Sequence, residues 1–71
     1  MDNVYRITEV VGSSTESQDD AIRRAVETAS KTVRNLDWFE VGETRGHIEN
    51  GKIAHYQVVV RIGFRVDTEE A

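Results

Sequence analysis

The sequence predicts an α+β domain in which one helix packs on a three-stranded antiparallel sheet of strand order 1-3-2. Residues 3–11 alternate between apolar and polar types, and residues 17–35 repeat apolar types at helical spacing. Residues 38–48 and 53–66 are two further alternating segments, and they are joined by Asn-Gly. Alternation is typical of strands, and a spacing of three and four is typical of a helix. The chain is therefore predicted to be strand, helix, strand, strand.

The first strand is followed by a short break and then by the helix. Residues 3–11 are rich in β-branched types, which favour strands. Ser14 or Thr15 is predicted to cap the helix, because a hydroxyl there can accept a hydrogen bond from an unpaired backbone N–H. The helix is predicted over about 17–35. Its apolar stripe comprises Ala21, Ile22, Ala25, Val26, Ala29, Val33 and Leu36.

The other two strands are predicted to form a hairpin. Asn50-Gly51 favours a type I′ turn, which requires positive φ at both central residues. A two-residue loop at this point fixes the register, and it places Glu40 opposite Arg61 as a favourable charge pair. The other predicted pairs are Trp38–Gly63, Phe39–Ile62, Val41–Val60, Glu43–Val58, Thr44–Gln57, Arg45–Tyr56 and Gly46–His55.

The third strand decides which face of the sheet is buried. One side of it carries an unbroken apolar row of Tyr56, Val58, Val60, Ile62, Phe64 and Val66. Phe39 and Val41 are the neighbours of this row on the second strand, so we expect them to pack under the helix. Because the helix returns the chain, strands one and two run in the same direction. An all-antiparallel sheet then requires the third strand in the middle.

The opposite face carries Trp38, the only tryptophan, beside the glycines Gly42, Gly46 and Gly63. Successive side chains on a strand point to opposite faces, so Phe39 is directed to the core and Trp38 outward. Glycine within a strand often marks a bulge or a close approach of another group. Two interpretations of the indole remain open, namely a contact with a neighbouring subunit and a stacking platform for a planar ligand.

The polar candidates also have two interpretations each. Gln57 lies on the face of Trp38, where its amide either makes a solvent or interface hydrogen bond or reads the edge of a heterocycle. Arg45 is assigned to the core-side row beyond the end of the helix, and Arg65 to the end of the third strand. Each arginine is either a solvated charge or a contact for an anion. His47 and His55 are too few for a zinc site, so no metal is expected.

Composition limits the class of protein. The 71 residues allow one domain, residues 1–71, which is marginally stable alone and has no cysteine, so self-association is predicted. A net charge of −4 makes the chain a poor general binder of nucleic acid. The absence of a long apolar segment or a signal-peptide pattern predicts a soluble cytoplasmic protein without a membrane partner. No catalytic motif is present, which favours binding over an enzymatic role.

Several segments together resemble the dodecins, which are small flavin-binding proteins. They are the opening VYRITEVVGSS, then KTVRNLDWFEV, ETRGHI and HYQVVVRIGFRV, and they cover nearly the whole chain. A small departure is Ile62-Gly63, where valine-glycine is usual. The resemblance implies a β-α-β-β subunit with its sheet wrapped around the helix, and a hollow homododecamer of cubic symmetry.

The resemblance also implies a ligand and the residues that hold it. FMN or riboflavin would bind between subunits, as two stacked flavins between two symmetry-related copies of Trp38. Gln57 matches the glutamine that hydrogen-bonds the isoalloxazine ring, and Arg45 matches an arginine of bacterial members near the flavin. Arg65 is implied by position as a contact for coenzyme A. The implied role is flavin storage or buffering and photoprotection, without turnover; a structural oligomer anchored by Trp38 and a flavin-dependent enzyme are the alternatives.

The predicted register adds a constraint on such a site. Trp38 is opposite Gly63, which is six residues from Gln57, or roughly 20 Å along a strand at about 3.3 Å per residue. One isoalloxazine ring is too short to touch both within one subunit. The hypothesis is therefore that Trp38 and Gln57 of one site come from different chains, unless a bulge at Gly42 or Gly46 closes the gap.

Overall fold

The computed structural model describes residues 2–67, and it has the predicted order of elements. Strand β1 spans Tyr5–Ser14, helix α1 spans Gln18–Ala29, strand β2 spans Leu36–Glu49 and strand β3 spans Lys52–Arg65. The sheet is antiparallel with the order β1-β3-β2. This confirms the predicted α+β class and the 1-3-2 order. The ends of the predicted 1–71 domain, residues 1 and 68–71, lie outside the described residues.

Strand β1 is longer than predicted because it continues through Gly12. Residues Gly12 to Ser14 stay paired with β3 instead of forming a break. The helix rests directly on this part of the strand, since a Cβ at Gly12 would overlap the backbone carbonyl of Ala21 and press on Ala25. Glycine is therefore needed here for the close approach of α1 to the sheet.

The helix begins with a cap that differs from the predicted one. Ser17 is the N-cap, and its Oγ accepts a hydrogen bond of 3.0 Å from the backbone N–H of Asp20. Neither Ser14 nor Thr15 holds that position. Ser14 still supports the start of the helix, because its buried hydroxyl donates to Asp20 Oδ2 at 2.6 Å and accepts from the N–H of Glu16 at 2.9 Å.

The helix ends at Ala29, about six residues earlier than the apolar spacing predicted. Ser30 is the C-cap, and Asn35 has a left-handed φ of 66°. The reason is tertiary pairing, because Leu36 is already the first residue of β2 opposite Phe64, and the Asn35 carbonyl accepts from the N–H of Arg65 at 3.0 Å. Leu36 thus belongs to a strand, although its spacing fits the helical stripe.

The core lies between α1 and the middle of the sheet. Its buried residues are Ala21, Ala25 and Ala29 from the helix and Val58, Val60 and Ile62 from β3. The small alanine side chains let the helix lie close to the sheet.

The expected burial of Phe39 and Val41 is wrong, since they are 52% and 43% exposed. Both are in register with the buried row of β3, but α1 lies over β1 and β3 rather than over β2. A 12-residue helix is about 18 Å long. A 14-residue strand is about 46 Å long, so a large part of the hairpin extends beyond the helix.

Candidate ligand-binding face

The sheet has an outer face, which we define as the side-chain row opposite the helix. It is assigned from the alternation of residues along each strand and from the observed register. The described members that matter here are Tyr5, Ile7, Glu9 and Val11 of β1, Trp38, Glu40, Arg45 and His47 of β2, and His55, Gln57, Arg61, Gly63 and Arg65 of β3.

The indole of Trp38 lies flat on the middle strand, over Gly63, and the predicted pairing of these two residues is confirmed. A Cβ built on Gly63 would overlap the indole, so the ring occupies the space that any other residue would fill. Tyr5 meets the indole in an edge-to-face contact, with 5.0 Å between ring centroids and 63° between ring planes. The tryptophan remains 39% exposed. It therefore presents a supported aromatic surface to whatever covers the outer face.

Arg61 occupies the centre of the outer face and bridges all three strands. Its Nη1 lies 3.2 Å from Glu9 Oε2, and its Nε lies 3.6 Å from Glu40 Oε1. The predicted pairing of Glu40 with Arg61 is confirmed. Because Arg61 has a carboxylate on either side, its charge is already compensated within the chain.

A β-bulge separates the two halves of the hairpin. Pairing is as predicted from Trp38 to Val41, but the register shifts before Thr44, so that Gln57 faces Arg45 and Tyr56 faces Gly46. The predicted Thr44–Gln57, Arg45–Tyr56, Glu43–Val58 and Gly46–His55 pairs are therefore wrong. The extra residue of β2 lies at Gly42–Glu43, and the bulge turns the side chains from Thr44 to His47 to the face opposite the predicted one.

Glycine at position 42 fits a crowded site at the bulge. A Cβ there would come within 3.0 Å of Arg61 Nη1 and within 3.3 Å of Val59 Cγ1. A second irregularity between His47 and Ile48 restores the predicted register at the loop. The loop itself has φ of 54° at Asn50 and 74° at Gly51, which agrees with the predicted type I′ turn.

The bulge brings Arg45 to the same face as Gln57, although the sequence placed it on the opposite face. Arg45 Nε donates a hydrogen bond of 3.1 Å to Gln57 Oε1. This bond fixes which end of the amide carries oxygen, and it leaves the NH₂ group directed elsewhere. Two of the four candidate residues therefore form one polar unit.

Trp38 and Arg65 lie at the other end of the outer face. Arg65 follows Gly63 by two residues, stands opposite Tyr5, and lies 3.8 Å from Asp67 through Nη2 and Oδ1. Gly63 and Gln57 are still six residues apart on β3, roughly 20 Å. The bulge does not shorten this separation, because it adds a residue to β2 and not to β3.

Tyr5, Glu9 and the two histidines were not assigned a site role from the sequence. His47 and His55 face each other across the strands as stacked rings, with centroids 5.2 Å apart. Alternation within β1 places Tyr5 and Glu9 on one face, but their partners depend on the register between β1 and β3.

Residues 2–67 contain no group of three or more potential metal ligands. Within this described part of the chain, no helix is long and apolar enough to cross a membrane.

Large apolar side chains remain exposed on both faces of the sheet. Ile7 is 58% exposed and Val11 is 53% exposed on the outer face, and Phe39 and Val41 are exposed on the helix side. Extended apolar patches on a small protein commonly mark interaction surfaces. The surface of the single chain is therefore of the kind that associates with a partner.

The sequence was compared with protein families and with known proteins. The family model described as Dodecin matches residues 4–67. The chain belongs to the dodecin family. A curated dodecin from Thermus thermophilus is 48% identical over 67 residues, which cover 94% of this chain and 97% of that protein.

Solved dodecin structures have the same fold over nearly the full length. The dodecin from Streptomyces davaonensis superposes with a TM-score of 0.92 at 50% identity, covering 96% of this chain and 100% of that chain. The dodecin from Streptomyces coelicolor superposes with a TM-score of 0.90 at 52% identity, covering 94% and 96%.

Proposed function

We propose that this dodecin stores and buffers a flavin, either FMN or riboflavin, within a homododecamer, and that it protects the flavin from light. The observation that carries this proposal is the indole of Trp38, which lies flat over Gly63 and is partly exposed on the outer face. An isoalloxazine ring is planar and aromatic, and offset stacking on an indole suits both partners. The resemblance to the dodecins implies the same ligand, and the chain belongs to that family.

The indole also accounts for photoprotection. An excited flavin is a strong one-electron oxidant, and a tryptophan in van der Waals contact can donate an electron and then recover it. The excitation is lost as heat, and no net redox change results. This role requires a ring held against the flavin, and it requires no general acid or base. We therefore propose binding rather than catalysis.

Gln57 is proposed to bind the polar edge of the flavin. Its Oε1 is held by Arg45 at 3.1 Å and still has a second lone pair, while its NH₂ group can donate. An amide that both accepts and donates complements the alternating ring N–H and carbonyl groups of the isoalloxazine edge. Arg45 supports this arrangement by fixing the orientation of the amide.

The proposed site combines two subunits. Trp38 and Gln57 are separated by roughly 20 Å along the sheet, so one ring cannot touch both in a single chain. A flavin stacked on Trp38 of one subunit would meet Gln57 of another. The exposed apolar residues on both faces of the sheet are proposed to be buried between subunits, where they would supply the stability that a chain of 71 residues lacks.

Arg65 is proposed as an anion contact. Its side chain is 46% exposed, and it pairs with Asp67 at a distance of 3.8 Å, which is long for a strong ion pair. A phosphate can therefore compete with Asp67 for the guanidinium of Arg65. The phosphate of FMN and those of coenzyme A both have this chemistry, and coenzyme A is the second ligand that we propose at Arg65.

Flavin titration tests the proposal. Riboflavin and FMN are added in turn to the purified assembly, and flavin fluorescence and particle mass are measured. We expect strong quenching, saturation at one flavin per chain and a mass close to twelve subunits. A dodecamer that leaves flavin fluorescence unchanged would support the alternative, in which Trp38 is only an interface anchor. Flavin reduction coupled to a specific substrate would instead indicate an enzyme.

A further inference from the structure

The indole of Trp38 is held in a position that the backbone alone does not dictate. Trp38 is on β2 and Tyr5 is on β1, and these strands are separated by β3. Adjacent strands lie about 4.8 Å apart, so the two backbones are about 10 Å from each other. The side chains meet because the indole extends across the middle strand, above Gly63, until its ring reaches Tyr5.

Gly63 lies directly beneath the indole. The three atoms nearest to a Cβ at this position are all carbons of the six-membered ring of the indole, namely Cζ2, Cε2 and Cδ2. Gly63 does not have a positive φ, so its backbone conformation is open to any residue. The requirement for glycine therefore comes from the indole, and any side chain here would lift the ring from the sheet.

Tyr5 contacts the indole from the side of β1. Its ring meets the indole edge to face at 5.0 Å, which limits tilting and sliding of the indole toward β1. Gly63 and Tyr5 together leave the rest of the indole surface for a ligand. Gly51 and Gly46 show the contrast, because a Cβ on Gly51 would meet nothing within 4 Å and one on Gly46 would make only ordinary contacts, the nearest at 3.5 Å.

We infer that Tyr5 and Gly63 are positioning residues that lock the indole of Trp38 flat on the sheet and so set how tightly a flavin stacks and how well it is quenched. The indole is locked before any ligand arrives, which removes an ordering cost from binding. The ligand half of this inference rests on the proposed flavin function. The locking of the indole does not, and it is measurable without flavin.

The expected size of the effect follows from the contacts. An edge-to-face aromatic pair changes an equilibrium constant by roughly twofold to tenfold, so Tyr5→Ala should weaken flavin binding about fivefold. Tyr5→Phe keeps the ring and should bind as the wild type does. Gly63→Ala forces the indole off the sheet, and it should weaken flavin binding by about tenfold or more, since the off-rotamer indole and its lost contacts add to each other.

The experiment uses Trp38 as its own probe, because it is the only tryptophan. Near-ultraviolet circular dichroism and acrylamide quenching of Trp38 fluorescence are measured on the flavin-free assembly for Tyr5→Ala, Tyr5→Phe and Gly63→Ala. Val11→Ala is the control for loss of an exposed outer-face side chain from β1, and Gly46→Ala is the control for a methyl group added to a strand glycine. Particle mass is measured first, and Tyr5→Leu replaces Tyr5→Ala if the latter does not assemble.

We expect a weaker dichroic signal and faster acrylamide quenching in Tyr5→Ala and Gly63→Ala, with wild-type values in Tyr5→Phe and both controls. Wild-type spectra in Tyr5→Ala and Gly63→Ala would overturn the inference, and so would a loss in Tyr5→Phe equal to that in Tyr5→Ala. The flavin titration is then repeated with riboflavin. If the wild-type assembly does not bind riboflavin, the proposed function fails, while the flavin-free spectra still decide whether the indole is locked.

Discussion

The two halves of the β2–β3 hairpin are built differently. From Trp38 to Val41 the strands pair regularly, and this half carries the aromatic surface over Gly63. From Thr44 to His47 the pairing is shifted by one residue, and this half carries the Arg45–Gln57 hydrogen bond. The difference shows that a single extra residue in β2 moves a charged side chain to the outer face while the first half stays unchanged.

In the proposed flavin site, the two halves of the hairpin contribute to binding in different ways. The regular half offers a large, supported ring, and stacking energy depends mainly on buried aromatic area. The shifted half offers directional hydrogen bonds, whose net contribution is smaller. Substitutions in the first half should therefore have larger effects on flavin affinity than those in the second.

The largest effect is expected for Trp38→Ala. Loss of the stacking surface should weaken riboflavin binding by about a hundredfold or more, since a buried aromatic side chain contributes about 3 kcal/mol on truncation. Flavin fluorescence quenching should be lost with it. Titration of the assembled variant measures both. Affinity within threefold of the wild type would mean that the indole is not the stacking surface.

A smaller effect is expected for Gln57→Ala. Removal of the amide should weaken binding by about tenfold, because one or two hydrogen bonds contribute roughly 0.5–1.5 kcal/mol each. The flavin that does bind should still be quenched fully, since the indole is unchanged. Fluorescence at saturating flavin, compared with Trp38→Ala, separates the two halves. Loss of quenching at saturating flavin would contradict this separation, because it would mean that Gln57 also controls the stacking of the flavin on the indole.

Arg45 is expected to act through Gln57. Arg45→Ala should weaken binding about threefold, as expected for loss of one hydrogen bond to a neutral amide. The double variant Arg45→Ala, Gln57→Ala should bind no more weakly than Gln57→Ala alone, because the arginine then has no amide to orient. Isothermal titration of the four proteins checks the cycle. Additive losses would indicate a direct contact between Arg45 and the ligand.

The start of the helix lies outside the hairpin, so a substitution there is expected to change stability without changing flavin binding. Arg24 and then Ser14 hydrogen-bond the Asp20 carboxylate, and both lower its pKa below the ordinary value of 3.8. A group whose pKa is lowered by folding stabilises the protein above its unfolded pKa, and this stabilisation is lost as the pH falls through the folded pKa.

The effect of Asp20→Asn should therefore depend on pH. The variant should be less stable than the wild type at neutral pH, and the difference should shrink below about pH 4. Denaturant unfolding at a series of pH values measures this. The affinity for flavin at neutral pH should be unchanged, because Asp20 belongs to neither half of the hairpin. A stability difference that grew with acid would contradict the assignment.

Local chemistry was enough to predict much of this fold and part of the site. Strand alternation gave the elements, Asn50-Gly51 gave the turn, and chain direction gave the 1-3-2 order. The pairing of Trp38 with Gly63 was predicted correctly because the two register shifts between the turn and Trp38, at His47/Ile48 and at Val41/Thr44, cancel each other. The elements, the turn and the strand order depend on neighbours in sequence or on the direction of the chain, so they can be predicted from one sequence.

The remaining features depend on contacts between distant residues. The glycines marked Gly42 and Gly46 as candidate bulge positions, but the choice of Gly42 depends on how β2 packs against Arg61 and Val59 of the next strand, which no local pattern shows. The contact between Tyr5 and Trp38 requires the register of β1 against β3. The early end of the helix was missed because Leu36 fits a helical stripe but pairs with Phe64.

The central claim is that one flavin site takes its stacking ring from one chain and its amide from another, and a mixed assembly tests it most directly. Chains with Trp38→Ala and chains with Gln57→Ala are unfolded, mixed in equal amounts and reassembled, and riboflavin binding is compared with that of each variant alone. If the two halves come from different chains, some sites in the mixture have both residues, and these sites should bind and quench riboflavin with wild-type affinity. If both residues come from one chain, every site lacks one of them, and the mixture should titrate as the sum of the two variants.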